Sequence, residues 1–219
     1  MNIYVSNHST VLTDAAVAAH VPAFQTYCGH VAAYWPRPMT LKFVTPPEVP
    51  ANQWEIRILD DSDQQGALGY HDYQPGGKPI SYVFARTDKQ YGYNWTVTLT
   101  HELAEMAADP WISELFQVTN TKLYAKEIGD PVEADQYGYV IAHTGQPDTV
   151  VSDFVTPAWF IPGHPGPVFD RAKHCTHPLQ ILSGGYMSIY VSCQGWTQVN
   201  AQHEQVAIDP NDPRLRDRG

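Results

Sequence analysis

Between Tyr91 and Lys122 the chain carries no lysine or arginine, yet Asn94 to Asp109 alone holds a histidine and three carboxylates. On a helical wheel of about 100° per residue, Trp95, Leu99, Leu103, Met106 and Ala107 share one arc. His101, Glu105 and Asp109 follow one another at i, i+4 and i+8 on another, with Glu102 and Thr98 beside them. A solvated helix face ordinarily mixes in basic residues, which pair with carboxylates one turn away. Carboxylates and an imidazole crowded without such a partner repel unless a metal ion or protons compensate. The stretch therefore reads as a helix with a greasy side and an adjacent side built to take up positive charge.

The segments around it set the fold class. Asn2 to Val5 alternate like a short edge strand, and Ser9-Thr10 offer caps for a helix over 11–35 that Pro22 should kink or split. Pro36 and Pro38 end that helix. Strands are expected at Thr40 to Val44, Trp54 to Asp60, Ala67 to Asp72 and Ile80 to Ala85, with a turn at Pro75-Gly76-Gly77 before the fourth. The motif helix follows and Pro110 closes it. Residues 111–185 are rich in Pro, Gly and Asp, so irregular loops with short strands are expected, and Met187 to Val191 is a late strand. The order is α+β, with one domain over 1–208 and a poorly ordered tail over 209–219.

Bulk properties exclude several partners. Acidic residues outnumber basic ones by 23 to 13, and no basic stripe is present, which argues against nucleic acid. No stretch reaches the roughly 18 apolar residues that a membrane span needs. The first residues lack the pattern of a signal peptide, so a cytoplasmic or virion-associated protein is expected. Cys28, Cys175 and Cys193 are too few and too scattered for a disulfide framework. His174-Cys175-Thr176-His177 reads as a surface turn rather than a metal loop.

The helix spacing has a mechanical reason. Residues four apart lie one turn apart, so the imidazole of His101 and the carboxylate of Glu105 can converge on one ion, zinc being the expected choice. Glu102 then projects toward an open coordination position, where it can take a proton from a water that the ion has acidified to a pKa of about 7. This Thr100-His101-Glu102-Leu103-Ala104-Glu105 sequence resembles the zincin metallopeptidases in a variant, H-E-x-x-E, whose second histidine is replaced by glutamate. Together with Met106 to Pro110, Glu127-Ile128-Gly129-Asp130-Pro131-Val132-Glu133 and Gly184-Gly185-Tyr186-Met187, it is similar to a zincin-like group seen in phage and bacterial genomes. The resemblance implies a zincin-like fold: an N-terminal mixed sheet with helices, a metal-binding helix and a loop-rich C-terminal half.

It also implies a third, glutamate ligand downstream. Glu127, 22 residues after Glu105, is the first choice, while Asp130 either binds the ion itself or orients His101. Glu133 stays open as well. Two carboxylates and one imidazole are hard donors for zinc and leave room for Mn²⁺ or Ca²⁺. Tyr186, in a Gly-Gly turn before a strand, is a candidate donor to an oxyanion. His71 ends the third strand, lining the cleft or lying at the surface, and Pro157 to Pro162 form a substrate wall or loop core. The expectation is a zinc-dependent hydrolase acting on a peptide or protein. Its rivals are a metal-stapled structural protein, for example of a phage particle, and a carbohydrate-binding module that needs no metal.

Overall fold

Ile3 and Val5, and Ile56 and Ile58, recur at the two-residue period that places them on one face of a strand, and all four are fully buried. The computed structural model describes residues 1–46, 49–50, 53–74 and 76–206. In it these pairs lie on β1 (Asn2–Asn7) and β3 (Trp54–Leu59), which run parallel to each other. With β2 (Thr40–Val44), β5 (Lys78–Phe84) and β4 (Gly69–Gln74) they form a mixed sheet of order β2-β1-β3-β5-β4. Only β4 is antiparallel, returning along β5 as the edge strand. Tyr70 pairs with Tyr82 and His71 with Ser81 in that register.

Three α-helices are present among the described residues: α1 (Asp14–Ala32), α2 (Ala85–Tyr91) and α3 (Trp95–Ala108). Helix α1 packs on β2 and α3 packs on β5 and β4, and the two helices touch each other. Helix α1 continues through Pro22 rather than splitting there. The bond that proline cannot donate would go to the carbonyl of Ala18, an exposed residue, so solvent relieves the loss. The N-cap is Thr13, whose hydroxyl accepts from the Ala16 amide. Ser9 and Thr10 instead hold the carboxylate of Asp60.

The second half wraps the helices. Strands β6 (Leu115–Gln117), β7 (Lys122–Ala125), β10 (Tyr186–Val191), β11 (Gly195–Asn200) and β12 (Gln205–Val206) form an antiparallel sheet of order β12-β11-β10-β7-β6. A two-stranded sheet, β8 (Tyr139–Ile141) with β9 (Thr149–Val151), packs on α1 and α3. Loop core fills part of the gap: within Pro157 to Pro162, Trp159 and Phe160 are buried, while Ile161 and Pro162 are exposed. The Trp35 indole donates to the Val155 carbonyl, and the Val155 amide donates to Ile128, tying α1 to the loops. No helix of the described residues is long and apolar enough to cross a membrane. The three cysteines are free, and 209–219 lie outside the described residues.

Candidate metal centre

Helix α3 is buried on nearly every side. Leu99, Leu103, Met106 and Ala107 form the core arc as the wheel predicts, with Trp95 half-buried. The ionisable arc is covered too: Glu102 and Glu105 are only 3% and 4% exposed. Three elements converge over it. The first is α3 itself. The second is β4, which brings His71. The third is the segment 126–133, which follows β7 and brings Glu127, Asp130 and Glu133.

Ordinary forces hold that third segment. Ile128 and Val132 are buried in the core, and the Leu182 amide bonds the Pro131 carbonyl just ahead of β10. Gly129 lies face to face with the His101 ring, where a β-carbon would sit 2.5 Å from Nδ1. Any larger residue there would push the loop off the helix. On the other flank Gly69 of β4 leaves room for Glu102, since a β-carbon would meet its Oε1 at 2.8 Å.

The contacts within the cluster are short. His101 Nε2 lies 3.4 Å from Glu105 Oε1 and 3.5 Å from Asp130 Oδ1. His71 Nδ1 lies 3.3 Å from Glu105 Oε2 and 3.9 Å from Glu102 Oε2, and its Nε2 is 3.7 Å from Glu127 Oε2. One ligand atom from each of His101, Asp130 and Glu133 falls within 4.8 Å of the others, and so does one from each of His71, Glu105 and Glu127. The Glu102 Oε2 atom is buried and accepts no hydrogen bond, an expensive state for a carboxylate oxygen. Nitrogen and oxygen donors at this spacing, with an orphaned acceptor among them, could hold a metal ion.

The electrostatics agree. Burial pushes Glu102 up to about 8, helped by Glu105 and Glu127 against the pull of the two histidines. Burial likewise raises Asp130 well above its usual range and Glu133 to about 7. Burial opposes the charge on His71, yet Glu127, Glu105 and Glu102 outweigh it and lift the imidazole to about 10. Glu105 alone is held below the usual carboxylate range: burial works against that, and His101 and His71 overcome it. Without a cation, then, the cluster stores protons.

The structure thus brings together His101, Glu102, Glu105, Glu127 and Asp130. Of the two residues weighed first for the third position, Asp130 is the one in contact with His101, while Glu127 meets His71. Tyr186 opens β10, directly after the turn that packs on Pro131. Two findings go beyond the sequence reading. His71 is buried, not superficial, because β4 lies beside α3. Asp109 leaves the ionisable arc to accept from the Ser113 and Glu114 amides, closing the helix, and its own carbonyl faces His71 Nε2 at 3.3 Å.

A separate group, Asp153, Asp170 and His174, staples the C-terminal loops. The Asp153 carboxylate accepts from the Phe154 and Ala172 amides, and Asp170 accepts from those of His174 and Cys175. His177 bonds the neighbouring Pro178 carbonyl, as a turn residue does. Burial and then the adjacent Asp170 push Asp153 up to about 9. A carboxyl whose pKa is raised on folding adds stability that is complete below the unfolded value and is lost as pH rises through the folded one. Between pH 4 and 9 this residue should therefore erode stability by up to about 1.4 kcal/mol per pH unit. Urea melts of Asp153→Asn against the parent across that range should show a shallower slope for the variant; parallel slopes would refute the assignment.

No family model matches the chain, and no curated protein or solved structure matches it either.

Proposed function

We propose that this protein is a metal-dependent hydrolase of zincin-like architecture, cleaving a peptide bond with water. The observation that carries the reading is the buried convergence of His101, Glu105 and Asp130 beside Glu102, whose Oε2 has no hydrogen-bond donor. The mixed sheet packed against the motif helix supports the likeness to zincins. His101, Glu105 and Asp130 hold the ion, zinc by preference, with Glu133 in reach. A divalent cation supplies Lewis acidity there, acidifying water and polarising a carbonyl.

The chain's own residues do the rest. Glu102, in its ionised form, takes a proton from the attacking water and returns it to the departing amine nitrogen. Gly69 leaves the space in which that carboxylate turns. Tyr186 is assigned as the donor to the oxyanion that forms as the carbonyl carbon becomes tetrahedral.

A second reading is favoured by a specific observation: Glu102, Glu105, Glu127 and Asp130 are all at most 4% exposed, and neither of two surface cavities, of about 380 and 360 Å³, borders them. A closed centre of this kind suits an ion that staples loops in an assembly component, such as part of a virion. The test is to load the purified chain with zinc, incubate it with an unstructured peptide mixture and look for new termini by mass spectrometry. Metal-dependent cleavage supports the hydrolase; bound zinc without cleavage transfers the centre to the structural reading.

A further inference from the structure

We propose that the centre takes two divalent cations, not one, bridged by the carboxylate of Glu105. The inference rests on the metal-binding reading above and deepens it. Glu105 is the only residue that faces both imidazoles in the ion pairs of the described residues: its Oε1 lies 3.4 Å from His101 Nε2 and its Oε2 lies 3.3 Å from His71 Nδ1. Each imidazole brings its own carboxylate company. Asp130 and Glu133 gather with His101, and Glu127 gathers with His71 and Glu105. A mononuclear centre needs three protein ligands and an open position; here the donors form two such sets, His101–Asp130–Glu133 and His71–Glu105–Glu127, and Glu105 of the second also lies 3.4 Å from His101 of the first.

Charge is compatible with the same number. Glu102, Glu105, Glu127, Asp130 and Glu133 carry five negative charges when ionised. With neutral histidines, one divalent ion leaves −5 + 2 = −3 and two leave −5 + 4 = −1. For Glu102, Glu105 and Asp130 the ion-pair partners among the described residues are His71 and His101 alone. A buried site must have such charge compensated, by a second ion or by the protons the cluster otherwise holds. Independently of that sum, the buried Glu102 Oε2 accepts no hydrogen bond and points to the His71 side, 3.9 Å from Nδ1. This is the side a single ion at His101 leaves without positive charge. For the hydrolytic reading, a second cation held by His71, Glu105 and Glu127 would supply a second Lewis acid.

The experiment is a titration of the full chain, stripped by chelator and dialysis, with Mn²⁺ followed by electron paramagnetic resonance and by elemental analysis. Two equivalents per chain are expected, the second producing the broadened spectrum of two interacting ions. His71→Ala and Glu127→Gln should each bind one equivalent and show an uncoupled spectrum. The milder Glu127→Gln keeps the side-chain volume in case His71→Ala fails to fold, and the parent's coupled spectrum needs no variant at all. One equivalent in the parent overturns the pair and leaves the single-ion reading standing. Two uncoupled equivalents that persist in both variants overturn it as well, by placing the second ion elsewhere. No uptake at all overturns both readings together.

Discussion

Glu102→Gln is expected to lower metal-dependent hydrolysis by about 10²–10⁴-fold, the usual contribution of a positioned proton-transfer group, while metal content stays at the parental value. Glutamine matches glutamate in shape, so the space beside Gly69 is filled as before. It cannot take a proton from water. The substitution also removes a buried charge whose Oε2 has no hydrogen-bond donor, so the fold should be no less stable than the parent's. Rate and metal content are read on the same preparation. Full activity in the variant would end the role of Glu102 as base, and with it the zincin-like mechanism. An inactive parent that nevertheless binds metal through His101 would leave the staple reading.

Stripping the ion at pH 7.5 should lower Tm by roughly 5–16 °C. Binding to the folded state alone contributes about 2.7 kcal/mol at a hundredfold excess over Kd and about 4.1 at a thousandfold. In a chain of 219 residues each kcal/mol moves Tm by about 2–4 °C. The gap should narrow at pH 6, and the sign follows from the shifts. Glu102 and Glu133 have folded values raised to about 8 and about 7. The stability they lend the ion-free fold is complete below the normal carboxylate range and lost as pH climbs through those values. His71, raised to about 10, loses its contribution in the same direction. Glu105, held low, is already ionised in both states at pH 6 and above and changes nothing over this window. Protons therefore substitute for the ion at low pH and fail to do so at high pH. Calorimetry with and without chelator at the two pH values checks this; an equal Tm throughout would mean that no ion contributes to the fold.

How much of this was readable in advance depends on how local the information is. Helix α3 was, because its apolar arc and its ionisable arc are both written at a 3.6-residue period within one segment. The first sheet was nearly so, since β1, β2 and β3 alternate cleanly, and β4 and β5 shifted by only two residues. Helix α2 was not singled out, since its seven residues carry no such repeat. Strand β11 escaped because all six of its residues are half-buried, so no alternation marks it. His71 was legible as a strand residue that either lines the cleft or lies at the surface, and the sequence could not choose between them, because the position of β4 at the edge beside α3 is a property of the whole sheet. Asp109 shows the reverse error: a wheel places it on the ionisable arc, whereas at the last turn its carboxylate finds free amides closer to hand. The order of Glu127 and Asp130 around His101 depends on how a Gly-Asp-Pro turn folds, which spacing alone does not specify.

The donors come from positions 71, 101–105 and 127–133, and the last of these is pinned by contacts running on to Leu182 and β10. Such a centre cannot exist until chain segments about sixty residues apart, from His71 to Glu133, have met. Contacts of that range close late, so the ion has nothing to grip in the early stages of folding. Its influence should fall almost wholly on how slowly the finished molecule comes apart: in a denaturant chevron, adding the ion should lower the unfolding arm and leave the folding arm where it was. The proposed ion would time such a molecule on the way out, not on the way in.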